Sequence, residues 1–134
     1  GHHVHPALVA LAIPTKAISR VMATTDAGAA AGLPPGSRAR LGDQAIMAGD
    51  RTAQLEDGTM AGSLLTMDGA LRMLVGLGLP LEEAARMCAS TPAEALGLAD
   101  TGAIAAGNRA DLVVMDRALR VRQTYVGGVP ALEH

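Results

Sequence analysis

Leu64, Met67, Leu71, Leu74 and Val75 fall three and four residues apart, and this spacing predicts an amphipathic helix. A second helix is predicted from about Leu81 to Ala89. Upstream, His5 to Ala12 is mostly apolar, with Pro6 near its start and Pro14 just beyond. That pattern suits a short helix with proline in its first turn and another in its last. Ile18 to Thr25 is β-branched and apolar enough for a buried strand, and it stops abruptly at Asp26-Ala27-Gly28. Thr91-Pro92-Ala93-Glu94 reads as a helix start. Thr91 caps the free amides, Pro92 takes the first helical position, Glu94 completes a capping box and Gly97 ends the helix.

Between these elements, Leu33 to Thr59 is polar and turn-rich, punctuated by Pro34-Pro35-Gly36, Gly49-Asp50 and Asp57-Gly58. Short strands at Gln44–Ala48 and Thr52–Leu55 are expected to pair there as hairpins. The C-terminal part is β in character, with strands at Leu112–Met115 and Arg122–Val126 and turns at Gly107-Asn108 and Gly127-Gly128. A single buried strand among helices cannot form a sheet alone and wants parallel neighbours, which this chain does not supply. The pattern therefore reads as α/β and as a piece of something larger.

Composition narrows the class. Of 134 residues 49% are apolar and 18% charged, a balance that folds rather than stays disordered. The net charge of -2 gives no electrostatic reason to expect nucleic acid or an anionic membrane surface. No apolar run approaches the length of a membrane span. Cys88 is the single cysteine, so an internal disulfide is excluded, and a reducing, cytoplasmic setting fits. Phe and Trp are absent and Tyr125 is the sole aromatic residue, so Ala, Leu, Val and Met must fill the core. Leu132-Glu133-His134 resembles the start of a vector-encoded histidine tag, and residues 132–134 are given no function.

Among residues that could carry chemistry, Asp26 stands just past the C-terminal end of the expected strand, where α/β barrels place catalytic groups. There a carboxylate could hold a water and shuttle its proton; an Asp before Ala-Gly is also ordinary turn chemistry. On an extended segment His3 and His5 would share one face and His2 the other, but a pair without a third ligand is thin evidence for a metal. Arginines are scattered along the chain and read as solvated charges. Cys88 lies in an apolar helix and reads as packing.

Thr101 to Asp116, TGAIAAGNRADLVVMD, followed by VRQTYVGGVPAL, closely resembles the closing segment of the amidohydrolase superfamily. GHHVHP before a helix, ATTDA at a strand end, DGTMAGSLLTM before the amphipathic helix and LPLEEAARMCASTPAEALGL then occur in the order and spacing of N-acetylglucosamine-6-phosphate deacetylases. The resemblance covers the chain up to its tag-like end. It implies the C-terminal part of a metal-dependent (β/α)8 barrel plus strands of an accessory β-sandwich. Residues 1–99 would give the last barrel strand, the final helices and the hairpin excursion 33–59, and residues 100–131 the strands of the small β-domain.

Carried over position by position, the resemblance implies that Asp26 is the catalytic acid–base and that Gly1, His2 and His3 form a substrate loop. Met60, Ala61 and Gly62 match a substrate-contacting segment that usually begins with Leu. It implies an amino-sugar phosphate as substrate, a divalent metal such as zinc with most of its ligands outside this chain, and a homodimeric full-length enzyme. No metal ligand is assigned here. Two other readings stay open: another amidohydrolase, dihydroorotase-like or deaminase-like, and a non-catalytic packing or interaction module that kept only this surface.

Overall fold

The computed structural model describes residues 3–131 of the chain. It is mixed α and β, with four helices, a four-stranded and a three-stranded antiparallel sheet among those residues. Helix α1, Pro6–Thr15, opens as its sequence predicts. Pro6 sits at its first position, His5 Nδ1 accepts the Ala7 amide at 3.2 Å, and Pro14 lies in the last turn. α1 buries only Ile13 and leaves Leu8 and Leu11 57% and 66% exposed. A helix apolar on every side is built to be buried, so much of this surface is unspent.

The Ile18–Thr25 strand does not form. Ile18–Arg20 is a 3-10 turn and residues 21–26 lie outside any ladder. Alternation survives: Val21, Ala23 and Thr25 are half-buried while Met22 and Thr24 face solvent. What is lacking is a neighbour. Backbone amides pair with whatever is near, and Ala23 donates to the Met87 carbonyl at 2.9 Å instead.

In the excursion, β2 (Gln44–Ala48) and β3 (Thr52–Leu55) form with the limits their sequence predicts. Two unanticipated strands flank them, β1 (Arg38–Leu41) and β4 (Met60–Ser63), giving the order β1-β2-β3-β4. β4 lies at the edge, and Ala27 meets Ser63 there in an isolated parallel bridge. The core under this sheet is made of small residues, Ala30, Ala48 and Ala53 with Ile46, and alanine-sized contacts let its layers approach closely.

The second core gathers Ile13 of α1, Leu71 and Leu74 of α2 (Met67–Gly76), and Ala84 and Met87 of α3 (Leu81–Cys88). α4, Ser90–Ala95, starts two residues early for a Thr91 cap. α3 runs almost directly into it, so Thr91 lies buried inside the helix and its hydroxyl reaches the Ile18 carbonyl at 3.5 Å. Glu94 pairs with Arg86 at 3.4 Å, and the capping box is not made. Ser90 binds the Gly102 carbonyl at 2.6 Å. β5 (Leu112–Met115) and β6 (Val121–Val126) pair as expected, and the short β7 (Val129–Pro130) joins them. Arg72 of α2 ties this sheet to the helices by donating to the Leu119 carbonyl at 2.8 Å.

Candidate active site

Asp26 ends the segment at residues 21–26, and its backbone is left-handed, with φ of 50°. For a residue with a Cβ this region costs about 1–2 kcal/mol, which Asp tolerates better than most. The surroundings hold it there. The Asp26 carbonyl accepts the Ser63 amide at 2.9 Å, and the Thr25 carbonyl accepts the Ser63 hydroxyl. Thr25 Oγ1 in turn accepts the Ala27 amide at 3.3 Å.

With its backbone pinned, the Asp26 carboxylate projects outward, its side chain 69% exposed. Its Oδ2 stands 3.6 Å from His3 Nδ1. Gly62 lies beside the same backbone with φ of 110°, and a Cβ there would come within 3.4 Å of the Asp26 carbonyl oxygen. That approach is ordinary contact, and it is the φ of 110°, a conformation side-chain-bearing residues rarely adopt, that calls for glycine here. Ala61 packs into the small-residue core and Met60, 41% exposed, opens β4 on the surface. The chain thus brings together Asp26, His3 and the segment carrying Met60, Ala61 and Gly62. Gly1 and His2 lie outside the described residues.

Ser63 and Thr25 escaped the reading of the sequence. The available signal was a hydroxyl residue inside the AGSLL run, one step after Gly62. Such a residue at a strand end needs partners once buried, and Ser63 is only 9% exposed.

Among the described residues no three His, Cys, Asp or Glu side chains converge on a common point. A catalytic metal takes about three protein ligands. His3 and Asp26 offer two donors, so the described residues do not fit a complete metal centre. Two clefts of the surface lie elsewhere. One of about 480 Å³ is lined by Ile13, Pro14 and Leu79, another of about 760 Å³ by Arg86, Ser90 and Val113. Neither is lined by Asp26 or His3. No described helix is long and apolar enough to cross a membrane.

Residues 10–131 match the amidohydrolase family. N-acetylgalactosamine-6-phosphate deacetylase of Escherichia coli O157:H7 is 39% identical over 132 residues, 96% of this chain and 34% of that protein. N-acetylglucosamine-6-phosphate deacetylase of Lysinibacillus sphaericus is 35% identical over 127 residues, 94% of this chain and 33% of its own length. A solved structure from Mycobacterium smegmatis superposes with a TM-score of 0.87 at 38% identity, over 96% of this chain and 35% of that one. It is an aspartate-to-alanine variant of N-acetyl-D-glucosamine-6-phosphate deacetylase in complex with N-acetyl-D-glucosamine-6-phosphate. The chain spans about a third of the length of each of these relatives.

Proposed function

The chain belongs to the amidohydrolase family, and from that membership we propose that it carries the acid–base portion of a hydrolase that releases acetate from N-acetylglucosamine 6-phosphate. The supporting observation is the meeting of three motif segments, with His3 3.6 Å from Asp26 and Gly62 against the Asp26 backbone. In this reading Asp26 takes a proton from the water that attacks the amide carbon. It then delivers that proton to the sugar nitrogen as the carbon–nitrogen bond breaks, so acetate and the free amine leave. His3, with Gly1 and His2, and the segment Met60, Ala61 and Gly62 line the sugar. The exposure of Asp26 and Met60 leaves both open to a bound molecule.

The divalent metal that amidohydrolases generally use would be held chiefly by parts of the longer relatives that have no counterpart here. The same reading assigns residues 1–99 to the end of a (β/α)8 barrel and 100–131 to an accessory β-sandwich. It carries with it a cytoplasmic location and a homodimeric enzyme. A second reading, the galactosamine epimer as substrate, is favoured by the 39% identity to the relative that bears that name.

The test is acetate release by the enzyme containing this chain, offered both N-acetylated amino-sugar 6-phosphates. Turnover of one of them, reduced about 10²–10⁴-fold by Asp26→Asn with the fold intact, is the expected result. Near-normal turnover in that variant would sink the assignment. Faster hydrolysis of a cyclic amide than of either sugar would move the chain to another branch of the family.

A further inference from the structure

We propose that Ser63 is a positioning residue for Asp26, holding its carboxylate in working orientation through the backbone on both sides of it. Three bonds converge on this serine. Its amide donates to the Asp26 carbonyl at 2.9 Å, its hydroxyl donates to the Thr25 carbonyl, and its Oγ accepts the Leu65 amide at 3.0 Å. The hydroxyl proton is therefore committed to Thr25, because the Leu65 amide occupies the acceptor side. The carbonyls that it and the amide engage belong to consecutive residues, so one side chain and one backbone group fix the peptide plane leading into Asp26 and the one leaving it. Those two planes define the left-handed φ of 50°.

A buried serine with satisfied partners is by default a structural residue. Two features argue for more. The conformation that Ser63 imposes is disfavoured for a residue with a Cβ, and such conformations persist only where their surroundings over-determine them. The carboxylate that results is not consumed by packing: it stands 69% exposed beside His3. The neighbouring Gly62 adopts a φ of 110°, which a residue with a Cβ rarely takes, in the step that leads into the serine. Removing the hydroxyl frees the Thr25 carbonyl and lets residues 25–27 relax toward an ordinary extended path. The Asp26 side chain would then swing away from His3, and displacements of about 1 Å can cost as much as 100-fold in rate.

The catalytic half of this role rests on the deacetylase reading; the conformational half does not. Two measurements separate them. In the chain, NMR couplings and carbon shifts of Asp26 report whether its φ is positive. In the active enzyme, kcat and KM for acetate release are measured for the wild type, Ser63→Ala and Ser63→Thr. We expect Ser63→Ala to lose the left-handed signature and to lower kcat about tenfold or more, with KM within about twofold. Ser63→Thr, which keeps the hydroxyl, should restore both, and a thermal melt of each variant corrects for loss of folded protein. Retention of positive φ in Ser63→Ala overturns the role outright. Loss of positive φ with unchanged kcat also overturns it, leaving Ser63 a structural residue. Should Ser63→Ala fail to fold, Ser63→Cys, which keeps the size but weakens the donor, must fall between wild type and zero turnover, and full wild-type kcat there refutes the proposal. A wild-type enzyme that turns over neither amino sugar, with Asp26 still held left-handed by Ser63, would instead refute the deacetylase reading.

Discussion

Arg72 makes two bonds through one nitrogen, and their unequal worth can be measured. Its Nη1 lies 2.7 Å from Asp68 Oδ2 one helical turn back, and 2.8 Å from the Leu119 carbonyl in the β5–β6 turn. The first is an i,i+4 pair with the two side chains 25–39% exposed, so solvent screening holds it to about 0.3–0.5 kcal/mol. The second is a charge-assisted bond to a part-buried carbonyl 47 residues away. Bonds of that kind contribute about 1.5–3 kcal/mol, and the low end applies at this exposure. Arg72→Met keeps the apolar stem and removes both bonds, for an expected loss of about 1.5–2 kcal/mol.

Urea unfolding followed by circular dichroism reads this as a lower midpoint at unchanged m. The decisive arm is the background. In Asp68→Asn most of the Arg72 effect should persist, because the Leu119 bond does not need the carboxylate, and the coupling between the two sites should stay below about 0.5 kcal/mol. Acid provides an independent check. The Asp68 pKa is lowered from 3.8, chiefly by its hydrogen bond to the Thr66 side chain and then by Arg72. A depressed carboxylate contributes stability above its unfolded pKa and loses it as pH falls through the folded value. The ion-pair share should therefore fade as pH falls from 3.8 through the lower folded pKa of Asp68, while the Leu119 share remains. An Arg72→Met cost that disappears in the Asp68→Asn background, or below about 0.5 kcal/mol altogether, would refute the reasoning.

Other expectations follow from single features. Gly102 has φ of 81°, and a Cβ there would sit 2.7 Å from the Ala93 Cβ and 3.0 Å from the Ser90 Cα, so Gly102→Ala should cost about 2–4 kcal/mol in denaturant unfolding. Asp116 caps the β5–β6 turn, and its pKa is lowered from 3.8 first by the Arg120 amide and also by Arg122. Its contribution is present above pH 3.8 and lost as pH falls further, so Asp116→Asn should flatten part of the acid limb of a midpoint-versus-pH curve. Burial raises the Cys88 thiol above its usual pKa. Iodoacetamide at pH 8 should then label native protein more slowly than protein in urea, and equal rates would contradict the packing role.

Local chemistry made the helices and hairpins legible, and it failed where two elements share a decision. β2 and β3 were readable because turn residues at Gly49-Asp50 and Asp57-Gly58 bracket short apolar runs. β1 and β4 were not, since Arg38–Leu41 is half charged and Met60–Ser63 is small and glycine-bearing, and only pairing with β2 and β3 makes them strands. The capping box at Thr91 is locally sound but loses to the end of α3, where the Ala89 carbonyl accepts the Ala93 amide at 3.1 Å that Thr91 would have capped. The segment at residues 21–26 shows the reverse error: β-branched side chains gave it the alternation of a strand, while strand formation depends on hydrogen-bond partners that no local pattern encodes.

Periodicity could suggest Asp26 and could not assemble the site around it. The contacts that define it run from Thr25 and Asp26 to Gly62 and Ser63, across the whole β1–β3 excursion. Only the resemblance of the ATTDA and DGTMAGS motifs to one family pointed at both ends. The structure adds the reason for their pairing. A left-handed acid needs its flanking carbonyls held, a glycine supplies the positive φ in the strand that holds them, and a buried hydroxyl follows that glycine. The excursion between the two motifs folds on its own core of Ala30, Ile46, Ala48 and Ala53. Changes at the far β1–β2 turn therefore act on that core and reach Asp26 only through β4, whereas a one-residue shift of β4 would put Gly62 where Ser63 must donate and break the clasp at once.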